Sequence, residues 1–366
     1  MYLALYRKFR PTTFDGIVGQ EHITTTLKNQ IINKQIGHAY LFCGSRGTGK
    51  TSCAKVFARA INCLSPLLDG SPCGKCDVCT KLQQSNNMDI LEIDAASNNG
   101  VDEIRDLREN IKYAPAVGKY KVYIIDEVHM LSPGAFNALL KTLEEPPVHA
   151  VFILATTEVH KLPATILSRV MRFDFKLISP DKIAQNITKI FKSSNIKAEE
   201  SAINLIATAG EGSMRDALSI ADMCASFCNN DITYDKVIDV LGISNKQVIY
   251  VLLNAILRQD IQTFFVEFNK MVKQGKNLSV LASDLTKGFR DLLVIKSCGE
   301  DSTLIDYQKD LLSKMTALAN DCSVVRINKA LQSFSKIESD LKYATNPQLL
   351  IETTALGLVD EEVKKN

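Results

Sequence analysis

The sequence predicts an α/β domain built on a parallel sheet, followed by all-helical segments with no sheet of their own. Three features predict it. Short, near-continuous apolar runs alternate with helical stretches up to about residue 178, the pattern of parallel strands buried on both faces. One junction between such a run and a helix is a glycine-rich turn, Gly44-Ser45-Arg46-Gly47-Thr48-Gly49-Lys50-Thr51. From Asp181 onward only helical periodicity remains.

Taken in order, residues 38–43 read as the first strand and residues 52–60 as the helix after the glycine turn. Further strands are expected at 89–94, 121–126, 150–157 and 170–175. Helices are expected near 101–113 and 133–143, the second closed by Glu144-Glu145-Pro146-Pro147, because proline cannot continue a helix. Ser179-Pro180 ends this domain. Helices then fall at 183–191, 198–209 and 214–224, with Gly210 and Gly212 as breaks. Beyond Leu241-Gly242-Ile243, stretches such as 248–256, 264–272 and 281–294 repeat apolar residues at spacings of three and four. The expected domains are 1–178, with an insertion at 63–79, then 179–242 and 243–366.

With 366 residues the chain exceeds the roughly 250 at which single cores stop growing, so two or three domains are expected. Forty-three basic against 41 acidic side chains leave a net charge of +2; any polyanion site must therefore be a local patch. No apolar run approaches the roughly 18 residues of a bilayer span. The apolar start, Met1 to Tyr6, precedes Arg7-Lys8-Phe9-Arg10, the wrong order for a secretory signal. A cytoplasmic chain with no membrane partner is expected. In that compartment ten cysteines are not read as disulfides. Six of them, Cys43, Cys53, Cys224, Cys228, Cys298 and Cys322, are scattered in apolar surroundings and are expected to be small core residues.

The glycine turn fits G-x-x-x-x-G-K-[ST] at every fixed position, between a strand and a helix that begins with Ser52. Glycines let backbone N–H groups crowd a phosphate, and the helix N-terminus adds partial positive charge. Lys50 suits the β- and γ-phosphates of a nucleoside triphosphate, and the Thr51 hydroxyl suits Mg²⁺. Val122-Tyr123-Ile124-Ile125-Asp126-Glu127 ends a strand in two carboxylates. Asp126 sits where it can hold the metal's water shell, and Glu127 where it can orient or deprotonate water. Cys63-x9-Cys73-x2-Cys76-x2-Cys79 has thiolate spacing for a closed, structural zinc site; an iron–sulfur cluster would use the same ligands. Thr157, Arg169 and Arg215 stand at a strand end, past the fourth strand and at a helix start. Taken singly, the arginines read as surface ion-pair partners.

Together these motifs resemble the AAA+ ATPases and, within them, the bacterial clamp-loader gamma/tau subunits of DNA polymerase III. The resemblance also rests on Tyr6-Arg7-Lys8-Phe9-Arg10-Pro11, Val18-Gly19-Gln20, the string from Asp126 to Ser132, Leu139 to Pro147, Leu154 to Thr157, Ser168-Arg169 and Gly212 to Leu218. It implies an AAA+ P-loop core, a small helical lid and a C-terminal helical collar. It further implies a pentameric machine using ATP, Mg²⁺ and a structural Zn²⁺ to open a ring-shaped clamp and close it on primed DNA. By this resemblance the Arg10 region and Val18 embrace the adenine, Thr157 is the first sensor and Arg215 the second. Arg169 is then the finger that reaches a neighbouring subunit's ATP. Asn98 and Asn99 begin a helix whose N-terminus would face template-strand phosphates, with Arg105 assisting; such contacts read backbone, not sequence. From the residues alone, a capped surface helix fits equally well. The implied partners are delta and delta-prime subunits, other copies of this chain, the sliding clamp (beta) and primer–template DNA.

Two departures stand out. Ser168-Arg169-Val170 replaces the family's Ser-Arg-Cys, and the chain stops at Asn366, which resembles gamma-type rather than longer tau-type chains. No polymerase chemistry is visible, so a DNA-directed DNA polymerase (transferase) label would belong to the holoenzyme. Two other functions are weighed beside the motor. A non-hydrolysing nucleotide-bound scaffold would have no need of Glu127. An AAA+ helicase or remodeller is opposed by the cysteine insertion and the helical collar.

Overall fold

A computed structural model describes residues 3–360, apart from 85–86, 243–245, 300–303, 306 and 308. The chain divides into two compact units, Met1–Tyr234 and Asp235–Asn366. The division lies ahead of the Leu241-Gly242-Ile243 break at which the sequence places it.

In the first unit, strands β1 (Ala39–Cys43), β2 (Ile90–Asp94), β3 (Lys121–Asp126), β4 (Ala150–Thr156) and β5 (Met171–Asp174) form a parallel sheet in the order β2-β3-β4-β1-β5. β1 and β4 are buried at every position, which explains their unbroken apolar runs. The helices are α1 (Leu5–Lys8), α2 (Glu21–Ile32), α3 (Lys50–Asn62), α4 (Asp77–Leu82), α5 (Val101–Asn110), α6 (Pro133–Glu144) and α7 (Ala164–Leu167). Tyr40, Phe42, Val122, Ile124 and Ile153 share a core with Ile23 and Leu27 of α2 and Val56 and Phe57 of α3. Leu41, Tyr123, Ile125, Phe152 and Leu154 meet Ile104 and Leu107 of α5 and Phe136 and Leu139 of α6 on the other face. Register pairs Cys43 with Thr156 and Asp94 with Asp126. The carboxyl edge therefore gathers Gly44, Asp126, Glu127 and Thr157, the edge at which open α/β sheets bind ligands.

The remainder of this unit is α8 (Pro180–Ser193), α9 (Glu200–Ala209) and α10 (Met214–Phe227). Here the expectation of helices alone is corrected. β6 (Lys197–Ala198) and β7 (Asp231–Ile232) pair in parallel and tie the start of α9 to the end of the bundle. Two residues are too short to display the alternation by which a strand is read from sequence.

Helices α11 (Tyr234–Leu241), α12 (Lys246–Leu257), α13 (Ile261–Lys273), α14 (Leu278–Cys298), α15 (Lys309–Asp321), α16 (Val324–Asp340) and α17 (Pro347–Asp360) follow. The core of the second unit is aromatic and aliphatic: Phe264 stacks on Phe268 at 5.5 Å, and Phe289 of α14 meets Phe334 of α16 at 5.5 Å. Asp260, Asn277 and Ser323 cap α13, α14 and α16 by accepting backbone N–H groups. Of the six scattered cysteines, Cys43, Cys53, Cys224, Cys228 and Cys322 are buried, but Cys298 is exposed. That expectation fails because Cys298 is the last residue of α14, immediately before Gly299 turns the chain away. No single helix among the described residues is long and apolar enough to cross a membrane.

Asp89, at the foot of β2, is 1% exposed and accepts three backbone N–H groups, from Ala116 (2.7 Å), Val117 (2.7 Å) and Gly118 (2.8 Å). This carboxylate closes the loop that feeds β3. Asp89→Ala would take the shared acceptor from three backbone donors and leave a gap where a buried carboxylate stood, and urea unfolding of the variant is expected to show a loss of about 3 kcal/mol.

Candidate nucleotide site and thiol cluster

The glycine turn joins β1 to α3 and lines a cavity of about 940 Å³. Gly44 has φ 143° and Gly47 has φ 75°, a region side chains avoid. A Cβ on Gly44 would lie 2.4 Å from the Phe175 carbonyl, and one on Gly47 would lie 1.8 Å from Ser213 Oγ. The second approach brings α10 onto the loop, where the Met214 N–H donates to the Gly47 carbonyl at 3.1 Å. Gln20, fully buried, braces the other side: its Nε2 donates to the Thr48 and Lys176 carbonyls at 3.3 and 2.7 Å.

Lys50 is 6% exposed, and its Nζ donates to the Gly44 and Ser45 carbonyls at 2.6 and 2.9 Å. Burial lowers its pKa from the ordinary value, against the pull of the Glu127 and Asp126 carboxylates. The Thr51 hydroxyl donates to Asp126 Oδ2 at 2.8 Å, although 75 residues separate them. Glu127 has φ 48°, left-handed backbone for a non-glycine residue, and such conformations cluster at functional sites. Its Oε2 accepts from the Thr157 N–H at 3.3 Å and the Thr157 hydroxyl at 3.1 Å. So the structure brings Lys50, Thr51, Asp126, Glu127 and Thr157 together at one edge of the sheet.

Arg46, Gly47, Thr48, Gly49, Lys50, Thr51 and Ser52 line the cavity, as do Arg10, Val18, Asp126, Glu127 and Arg215. Gly44 and Ser45 do not line it, but their carbonyls hold Lys50, which does. Arg10 Nε donates to Ser52 Oγ at 3.3 Å. The Arg215 guanidinium lies over the Tyr6 ring, 5.3 Å from its centroid. The lining also has apolar members, Ile17, Ile178, Ile190 and Leu218, surface of the kind that suits a flat base. Arg169 does not line this cavity. It follows α7, donating to the Thr165 carbonyl and to Glu144 Oε1, each at 2.8 Å. Asn98, Asn99 and Arg105 also lie apart. The Asn98 amide donates to the Asp94 carbonyl at 3.1 Å, the Asn99 carbonyl accepts from the Ser132 N–H at 3.1 Å, and Arg105 pairs with Asp102 at 3.0 Å. The first turn of α5 also holds Asp102 and Glu103, carboxylates that already complement the helix dipole.

Three contributors lie within the motif strings of the sequence but are given no role there. Gln20 and Ser213 act on the loop from far away in the chain. His129 stands two residues after Glu127, with Nδ1 3.0 Å from Thr156 Oγ1. Only its place in the string from Asp126 to Ser132 signals it.

The four cysteines converge at the far end of α3. Their sulfur atoms all lie within 4.8 Å of one another, and the Cys63–Cys76 and Cys73–Cys79 pairs are 4.0 Å apart. Tetrahedral zinc with Zn–S bonds near 2.3 Å needs sulfurs about 3.8 Å apart. The N–H groups of Cys73 and Cys76 each point at a neighbouring sulfur at 3.3 Å, and that of Cys79 at 3.4 Å. N–H donation from Lys75 and Cys76 lowers the Cys73 thiol pKa; at Cys76, burial opposes the N–H groups of Cys79 and Leu64, which still bring it down to about 6. Burial pushes the Cys63 and Cys79 thiols up instead, so it is the four-sulfur geometry, with Cys73 and Cys76 poised as thiolates, that fits zinc.

Known proteins match along the whole chain. The family model for DNA polymerase III, delta subunit, covers residues 19–179. The clamp loader subunit ATPase lid domain covers 182–230, and domain III of the gamma and tau subunits covers 232–363. Among solved structures, the RuvB Holliday junction branch migration motor of Thermotoga maritima shares the fold, with a TM-score of 0.50 and 19% identity over 68% of this chain and 79% of that one. Curated relatives include the DNA polymerase III tau subunits of Bacillus subtilis (43% identical over 98% of this chain) and Escherichia coli (38% over 97%). This chain spans 63% and 55% of their respective lengths. The gamma subunit of Buchnera aphidicola is 35% identical, the match covering 98% of this chain and 99% of that one. Identity at that level from end to end, on an AAA+ core whose phosphate loop and carboxylates meet, makes the chain a member of the DNA polymerase III gamma/tau subunit family.

Proposed function

We propose that this chain is an ATP-hydrolysing motor subunit that loads a sliding clamp onto primed DNA. The observation that carries the reading is the Thr51–Asp126 contact with Glu127 beside it. A hydroxyl and a carboxylate brought together at the phosphate loop form the hard-oxygen set that suits magnesium. Bound there, magnesium would neutralise triphosphate charge. Lys50 would exchange its two loop carbonyls for phosphate oxygens, gaining a charged partner for a buried cation. Glu127 would take a proton from the attacking water, steadied by Thr157. Arg215 reaches the cavity from α10 and would report a bound triphosphate to that helical segment. A nucleotide-holding scaffold would need none of the Glu127 geometry.

Arg169 supports hydrolysis that depends on assembly. It lies outside its own cavity, held at the surface by the Glu144 carboxylate, the Thr165 carbonyl and the Ser168 hydroxyl, from where it would exchange these partners for a neighbour's phosphate. Partners of this reading are other copies of the chain, delta and delta-prime subunits, the clamp and primer–template DNA. The four thiols would hold one structural zinc.

Glu127→Gln, assembled with delta and delta-prime subunits, should bind a fluorescent ATP analogue normally while turnover falls about 10²- to 10⁴-fold; unchanged hydrolysis would remove Glu127 as the base. Arg169→Ala should leave nucleotide binding intact and lower clamp- and DNA-stimulated turnover by about 10³-fold or more. If stimulated turnover survives, the finger is elsewhere. Metal analysis of purified protein should return about one zinc per chain. Iron would favour a cluster, and no metal beside four titratable thiols would end the idea.

A further inference from the structure

His129 lies between two carboxylates. Its side chain is 6% exposed, with Nδ1 3.4 Å from Glu127 Oε2 and Nε2 3.3 Å from Glu158 Oε1. Nδ1 is also 3.0 Å from Oγ1 of the fully buried Thr156, an atom that accepts the Glu158 N–H at 3.0 Å. The imidazole therefore spans two turns: the one after β3 that carries Glu127, and the one after β4 that carries Thr157 and Glu158.

Two observations give this bridge a function. The left-handed backbone at Glu127 costs energy for a side-chain-bearing residue, so neighbouring contacts must hold it. Those contacts are uneven: both Thr157 bonds and the imidazole approach fall on Oε2. Oε1 is left as the oxygen that would meet water. On the far side, Glu158 is gripped by Lys161 at 2.9 Å, a bond that holds its carboxyl below the usual carboxylate range. Lys161 ends the turn that leads through α7 to Arg169.

We propose that His129 is the positioning residue of Glu127. With Thr157 it fixes Oε2 so that Oε1 serves as the base, and through Glu158 it ties that orientation to the segment bearing Arg169. This rests on the hydrolytic reading above.

Two amides separate positioning from mere packing. Asparagine places an amide near the Nδ1 position and keeps the Glu127 side of the bridge. Glutamine places one near Nε2 and keeps only the Glu158 side. In the complex with delta and delta-prime subunits, His129→Gln should lower kcat about 10²-fold with KM and fluorescent-ATP affinity unchanged. His129→Asn should rescue most of that loss. In the nucleotide-free chain, amide exchange at Thr157 should quicken about 10-fold in His129→Gln and stay near wild type in His129→Asn. Equal losses in both variants, or unchanged kcat in His129→Gln, would overturn the assignment while leaving the ATPase intact. A wild-type complex that fails to split ATP would overturn the hydrolytic reading and this assignment together.

Discussion

A buried ammonium group sets the terms for the first unit. Removing a lysine head from water costs several kcal/mol unless its protons find partners, and Lys50 finds two loop carbonyls and two nearby carboxylates. Every neighbouring feature serves that arrangement. Gly44 and Gly47 allow backbone to approach where a side chain would collide, Gln20 braces the loop, and α10 closes over it through Ser213 and Met214. The site is thus a cation hydrogen-bonded to neutral carbonyls, with two carboxylates close enough to favour its charge. A phosphate is a stronger acceptor than a carbonyl, so exchange of partners requires no new fold.

Much of this was readable from residue order because the signals are local. Parallel strands covered on both faces must be apolar throughout, so β1, β3 and β4 announced themselves. The phosphate loop and the thiol spacing are also short-range patterns. What stayed hidden depends on distance through space. Gln20 meets Lys176 and Ser213 meets Gly47, and neither pairing has a periodicity to detect. β6 and β7 are too brief to alternate. Cys298 was misjudged because helical spacing tells which face a residue occupies but not where the helix runs out into solvent.

The two units cohere by different means. In the first, helices exist to cover a sheet, and polar atoms such as those of Asp89 and Gln20 are buried to close loops. The second is held by stacked phenylalanines and by caps at helix starts. A core of the first kind fixes chemistry at one edge with little freedom. The second kind presents long helical faces, the longest that of α14, 21 residues from Leu278 to Cys298.

Helix α3 begins with the lysine of the phosphate loop and is followed at once by the first thiol of the cluster. Its length is therefore a calibrated quantity. Each residue added to an α-helix turns everything beyond it by about 100° and lifts it by about 1.5 Å. An insertion anywhere along this rod would swing Cys63 away from its three companions or wrench Lys50 and Thr51 off the sheet edge. The rod is a spacer whose length sets the phosphate loop and the thiol cluster apart by a fixed rise and a fixed turn.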